Sequence, residues 1–370
     1  MVNTHDNSDE VPQGDRSQTE ESSLIGLLFE TSPYGSLDAI VQHDHRTIYF
    51  YLNGDESFGT RACWVRNLVQ GPYVINQDDL QSGTPPLLPR THCRTSGPLP
   101  LPDPKDLHIV WFEEGNAAAL FEKEQLIAVI PPWSGVDGFH GYALECVGES
   151  SIVWPLFQQE SLLKRIHNAI QFWSQCGNES EHPFAQLQPK LLEAYNDRFG
   201  SEHTYYSLDG GNFPPRGAIA FDQTDELVIL TVGMSFRPMP NVEMAVEQPA
   251  ILRRIELGIR LPKKNSVGPI EPVLEQLSGL VAYPWIRQTW FGHGHTCQFD
   301  GFKDWFGSSF DTGQLITSQQ LTVWKSLAMP EFRSDPIQLL WIVPTTSEDA
   351  QAFSRGELDV DDLIKMIQSP

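Results

Sequence analysis

In the stretch TWFGHGHTCQF, residues 289–299, His293, His295 and Cys297 occupy alternate positions. Imidazole nitrogen and thiolate sulfur are zinc ligands, and in an extended segment alternation points all three side chains to one face. The pattern raises a metal site. Against it, Gly292 and Gly294 flank His293 and favour a turn over a straight strand. No nearby carboxylate or thiol is marked by spacing as a fourth ligand. The expectation is a loop histidine tied to backbone, with no metal and no cofactor. A second pair, His43 and His45, could complete a four-histidine site only by a coincidence of two distant segments.

Two further groups could do chemistry. Ser134 and His140 share the loop PPWSGVDGFHGY and invite a hydrolase reading, but no G-x-S-x-G elbow is present, and a proline- and glycine-rich loop accounts for the residues more simply. Glu113 and Glu114 in FEEGN are paired carboxylates of the kind used in acid–base work when their environments differ. Neighbours in a strand point to opposite faces, so a solvated bend is expected instead. The glycines at Gly210-Gly211 and Gly138 belong to turns. No phosphate-binding G-x-G-x-x-G or G-K-[ST] loop occurs, so nucleotide binding has no support in the sequence.

The elements that must position these residues fall into two styles. Residues 23–176 read as a β-rich N-terminal domain: strands flank Asn53-Gly54-Asp55, a proline-dense loop covers 81–104, and extended runs resume at HIVWF. A helix over 161–176 closes that domain, with Leu162, Ile166, Ala169, Ile170 and Trp173 on one face. CGNESEHPF makes 177–184 a linker. Residues 185–370 then begin with a helix carrying Leu187, Leu191, Ala194 and Tyr195, capped at Gly200. RRIELGIRL alternates, with Ile255, Leu257, Ile259 and Leu261 on one face and charges mostly on the other. Helical spacing returns in PVLEQLSGLVAYPW, a buried strand in QLLWIVPTT, and two short helices at the end. The fold class is α+β: two domains, the second a mostly antiparallel sheet with packed helices.

Charge narrows the partners. Against 48 acidic residues stand 25 basic ones, a formal charge of -23, which repels a nucleic-acid backbone and an anionic membrane alike. Five cysteines, odd in number and without a C-x-x-C pair, suggest neither a disulfide framework nor a ribbon-type zinc site. Residues 1–22 hold six acidic residues and one arginine with almost nothing apolar, the composition of a disordered tail, and they lack the features of a signal peptide. A cytoplasmic protein is expected.

Arg254-Ile255-Glu256-Leu257, Ala282-Tyr283-Pro284, Gly292-His293-Gly294-His295-Thr296 and the turn from Pro344 to Glu348 follow one another in an order that resembles the bacterial suppressor-of-fused-like domain. The resemblance covers roughly 180–370 and leaves 23–176 unaccounted for. In that family a proline commonly stands at the place of His293, so His295 alone maps onto the recurrent position. The resemblance implies a non-enzymatic protein that clamps a partner segment between two domains. Eukaryotic relatives hold a transcription factor, and bacterial members are grouped with immunity proteins. The implied partner is a protein or extended peptide, and the aromatic candidates to touch it are Trp133, Phe139 and Tyr142 with Trp285, Trp290, Phe291 and His295. The alternative is a hydrolase or metal-dependent enzyme built on Ser134/His140 or His293/His295.

Overall fold

The computed structural model describes residues 24–307, 310–321, 324 and 327–368. The acidic tail expected over residues 1–22 lies outside the described residues. Among these residues no helix is long and apolar enough to cross a membrane.

The N-terminal part is two sheets facing one core. β1 (Ile25–Thr31), β2 (Asp38–His43), β3 (Thr47–Asn53) and β4 (Thr60–Asn67) form an antiparallel meander. A short helix α1 (Gln77–Ser82) and the proline-rich loop precede the second sheet, β5 (Leu107–Trp111), β6 (Ala118–Glu122), β7 (Gln125–Ile130), β8 (Tyr142–Ala143) and β9 (Trp154–Pro155). Val41, Phe50 and Trp64 from the first sheet meet Leu120, Ala128 and Ile130 from the second in one buried cluster. The loop is not loosely held: Leu88 is fully buried in that cluster, and Asn67 Nδ2 donates to its carbonyl at 2.8 Å.

α2 (Glu160–Cys176) joins the two parts of the chain. Its Leu162 and Ile166 pack on Phe112 and Val129, whereas its Phe172 packs among Leu187, Phe221 and Phe236 of the C-terminal part. The expected face is corrected here. Phe172 is buried and Ile170 is 43% exposed, because a helix that touches two cores turns different faces to each. α3 (Pro183–Phe199) starts inside the expected linker, its proline at the first turn where a missing N–H costs nothing, and it ends at Gly200 with φ 94°.

The C-terminal part is built on an eight-stranded sheet. Its elements are β10 (Thr204–Ser207), β11 (Gly217–Asp222), β12 (Glu226–Val232), α4 (Val242–Ala245), α5 (Pro249–Leu252), β13 (Arg254–Pro262), α6 (Glu271–Leu280), α7 (Tyr283–Ile286), β14 (Thr296–Gln298), α8 (Gly301–Phe306), β15 (Thr312–Thr317), β16 (Glu331–Phe332), β17 (Asp335–Thr345), α9 (Ser347–Ser354) and α10 (Val360–Gln368). The strand order is β10-β11-β12-β13-β17-β15-β14, with β16 on β17, and every pair is antiparallel except β13 with β17.

Both faces of this sheet are covered. Ile255, Leu257, Ile259 and Leu261 bury on α6, α7 and α8 through Val273, Leu277, Trp285 and Phe302. The other face packs Phe221, Leu230, Leu339 and Trp341 against α3 and α10. The charges of RRIELGIRL do lie on the strand face opposite these apolar residues, and that face is covered as well. Arg254 is buried, and Glu256 is 0% exposed, since helices lie on that side too.

Candidate functional site

Two places gather polar and aromatic groups, and the first is a groove of about 940 Å3 along the sheet edge. It is lined by β14, by the rings of Tyr283, Trp290, Phe291 and His295, and by polar groups of Asp300, Lys303, Asp311, Ser347, Gln351 and Arg355. β14 is the last strand of the sheet and pairs only with β15 among the described strands. Phe299 N–H donates to Asp311 O, and Leu315 N–H to His295 O, both at 2.8 Å. With the register Thr296↔Gln314, Cys297↔Gly313 and Gln298↔Thr312, residues 297 and 299 direct their backbone groups toward β15, as does the carbonyl of His295, whose N–H donates to Gly292 O at 3.2 Å. Thr296 and Gln298 therefore direct theirs outward, into the groove.

The alternating His-x-His-x-Cys run is split among separate partners. His293 Nδ1 accepts from Thr317 N–H at 3.5 Å, and its ring stands 6.3 Å from that of Phe353. The His295 ring lies 4.5 Å from Trp290. Cys297 Sγ donates to Gly313 O at 3.5 Å. Burial holds both imidazoles below their usual range and pushes the Cys297 thiol up to about 12. Gly294 has φ +86°, a left-handed turn position rather than a strand position. Among the described residues no group of three or more His, Cys, Asp or Glu stands within reach of one metal ion.

The second place is the polar seam between the two parts of the chain. The expected solvated bend at Glu113 and Glu114 is corrected: these residues are 8% and 3% exposed. Glu113 accepts from Arg254 at 2.7 Å and from Arg333 at 3.0 Å, while Arg333 also donates to Gln175 Oε1 and Asn168 O of α2. Asp335 takes both Arg253, at 2.7 Å, and Arg254, at 3.0 Å. Glu114 pairs with Arg165, which also reaches Glu243 at 2.9 Å. Burial raises the Glu114 carboxyl, against the pull of Arg165. Sequence reasoning missed this network because each acid's partner is remote in the chain. The one available signal was the pair of glutamates before a glycine.

Nearby, Arg237 is buried between the rings of Tyr34, 4.3 Å away, and Trp285, 3.8 Å away. Burial works against its charge and lowers the guanidinium to about 9, with the two ring faces offsetting only part of that cost. Trp285, a candidate contact residue, is 1% exposed and donates from Nε1 to Pro238 O at 2.8 Å, so it is core. Glu256 lies behind the seam and accepts from Thr231 Oγ1, Gly233 N–H and both the hydroxyl and N–H of Ser235 at 2.5–3.0 Å. Burial outweighs these donors and pushes it up to about 7.

The aromatic candidates are not gathered in one crevice. Trp133, Phe139 and Tyr142 cluster with Trp154 in the N-terminal part, where Phe139 lines a recess of about 480 Å3. Trp290, Phe291 and His295 line the β14 groove. Ser134 Oγ donates to the carbonyl of His140, while the His140 ring meets Ala62 O at 3.1 Å, so neither side chain activates the other. Residues 217–369 match the family model of Suppressor of fused protein (SUFU). No curated protein matches the chain.

Proposed function

We propose, from the premise that the chain carries a suppressor-of-fused domain over residues 217–369, that it is a non-enzymatic protein-binding protein holding an extended segment of its partner as an added strand on β14. The observation that carries this reading is the free edge: the N–H and C=O groups of Thr296 and Gln298 open into a groove walled by Tyr283, Trp290 and Phe291. Main-chain hydrogen bonds to such an edge supply affinity, and flanking aromatic walls select side chains. The formal charge of -23 favours a basic or neutral segment whose association slows as salt rises.

A clamp between the two parts of the chain would place the segment where Glu113, Arg254 and Arg333 meet, around a polar pocket of only about 40 Å3. Those ion pairs would have to separate first. The β14 groove needs no such opening and is the preferred seat. Whether the setting is regulatory or immunity-type, the same edge does the holding.

The test uses peptides selected by display against the full chain. Gln298→Pro removes one outward N–H without touching the β15 ladder, a change that edge strands accept. Selected peptides should bind this variant about tenfold more weakly, roughly one main-chain hydrogen bond plus its geometry. Deuterium exchange of the complex should slow at Thr296 and Gln298. Equal affinity for both proteins, or protection away from β14, would overturn the proposal.

A further inference from the structure

Cys93 lies in the proline-rich loop and Cys146 follows β8, and the two stand opposite each other as an isolated antiparallel bridge. Two hydrogen bonds frame them: Arg94 N–H donates to Glu145 O, and Val147 N–H donates to His92 O, both at 2.8 Å. Donors from the residue after each cysteine to the residue before the other define a non-hydrogen-bonded pair. In that geometry the Cα atoms approach to about 4.5 Å with side chains closest, inside the range that a disulfide spans. The cysteines are free in this structure, their sulfurs turned to different carbonyls: Cys93 Sγ to Pro89 O at 3.4 Å and Cys146 Sγ to Gly148 O at 3.0 Å.

We propose that Cys93 and Cys146 form a reversible disulfide by exchange with a disulfide oxidant such as oxidised glutathione. Cys93 is half-buried and Cys146 fully buried, so the external attack falls on Cys93. The Cys93 thiolate, its proton given to solvent, attacks one sulfur of the oxidant and releases one glutathione thiol, leaving a mixed disulfide. The Cys146 thiolate then attacks the Cys93 sulfur, its proton also leaving to solvent, and the second glutathione thiol departs. The protein loses two hydrogens, and one external disulfide becomes two thiols.

Burial pushes both thiols up to about 11, with the Glu145 carboxylate adding to the effect on Cys93. Little thiolate exists at neutral pH, so the exchange is slow and speeds up in mild alkali. Once Cys93 carries the mixed disulfide, its partner is already across the bridge. The closed form pins the loop to the end of β8. Asn67 already holds that loop, donating from Nδ2 to Leu88 O at 2.8 Å and to Cys93 Sγ at 3.7 Å.

Cys63, buried nearby with its Sγ donating to Tyr142 O at 3.5 Å, is the competitor that the experiment must separate. Reduced full-length protein is incubated with oxidised glutathione in mild alkali, free thiols are alkylated, and peptides are mapped without reduction. The expected result is one intramolecular Cys93–Cys146 peptide, loss of alkylation at those two of the five cysteines, and reversal by dithiothreitol. Cys63→Ser should leave the cross-link intact, and Cys93→Ser should abolish it while Cys146 stays alkylatable after unfolding. Full alkylation of both residues after incubation, a Cys63–Cys146 cross-link in its place, or only intermolecular dimers would overturn the proposal. Should Cys93→Ser fail to fold, the peptide map of the native chain decides alone.

Discussion

Arg254 and Glu113 stand 141 residues apart in the chain and meet at 2.7 Å, both withdrawn from solvent. Glu113 also holds Arg333, and Arg254 also holds Asp335, so four side chains stitch the C-terminal sheet to the β5–β6 turn. Removing one partner of a buried pair leaves an uncompensated charge, which costs more than the pair contributes. Glu113→Ala should therefore lower the unfolding free energy by about 3 kcal/mol, with Glu113→Gln losing less. Urea unfolding measures this, and a loss below about 1 kcal/mol would show that solvent reaches the seam.

Glu256 should leave a signature in the pH dependence of stability. The unfolded chain releases this proton near 4.5, whereas the folded chain keeps it to about 7. Between those values the unfolded state binds fewer protons, so stability from this group falls as pH rises, by at most about 1.4 kcal/mol per pH unit. Glu256→Gln removes the titration. The wild-type unfolding curve should descend relative to the variant across that window and run parallel to it outside. Curves that stay parallel throughout would mean the four donors hold the carboxylate ionised.

Trp285 and Trp290 are close in sequence and should behave differently. Trp285→Ala empties a core position and strands the Pro238 carbonyl, at a cost of about 3 kcal/mol or more. Trp290→Ala trims a groove wall, so stability should change by less than about 1 kcal/mol while display-selected peptides bind about tenfold more weakly. Thermal unfolding and titration of one peptide separate the two effects.

Zinc should not stabilise the protein. The His293 ring, the His295 ring and the Cys297 thiol are committed to Thr317, Trp290 and Gly313 respectively. A metal that binds only the folded state raises its melting temperature with concentration. Melts with added zinc and with chelator should agree to within about a degree. A zinc-dependent rise that His293→Ala removes would refute this.

What could be read from the residues was whatever depends on near neighbours. The alternation of Ile255, Leu257, Ile259 and Leu261 identified one buried face of β13, and the glycines beside His293 identified a turn. One face of a strand says nothing about what covers the other, so the burial of Arg254 and Glu256 could not be anticipated. Glu113 misled for the same reason. Its arginines come from far along the chain, and without them a carboxylate pair belongs in water. Of the seven aromatic and histidine candidates, Trp290, Phe291 and His295 share a groove wall, while Trp285 is core, Tyr142 is buried in the N-terminal part, and Trp133 and Phe139 pack against it.

Among the described strands β17 comes last in the chain, yet it sits in the middle of its sheet, between β13 and β15. A nascent chain therefore emerges as two sheet fragments, β10 to β13 and β14 with β15, each ending in an apolar edge that waits for Asp335–Thr345. Until that segment clears the ribosome, both edges are open to pairing with other chains. A premature stop that removes this strand and the helices after it leaves the remaining sheet in two pieces, a product fitted for aggregation and disposal rather than partial activity.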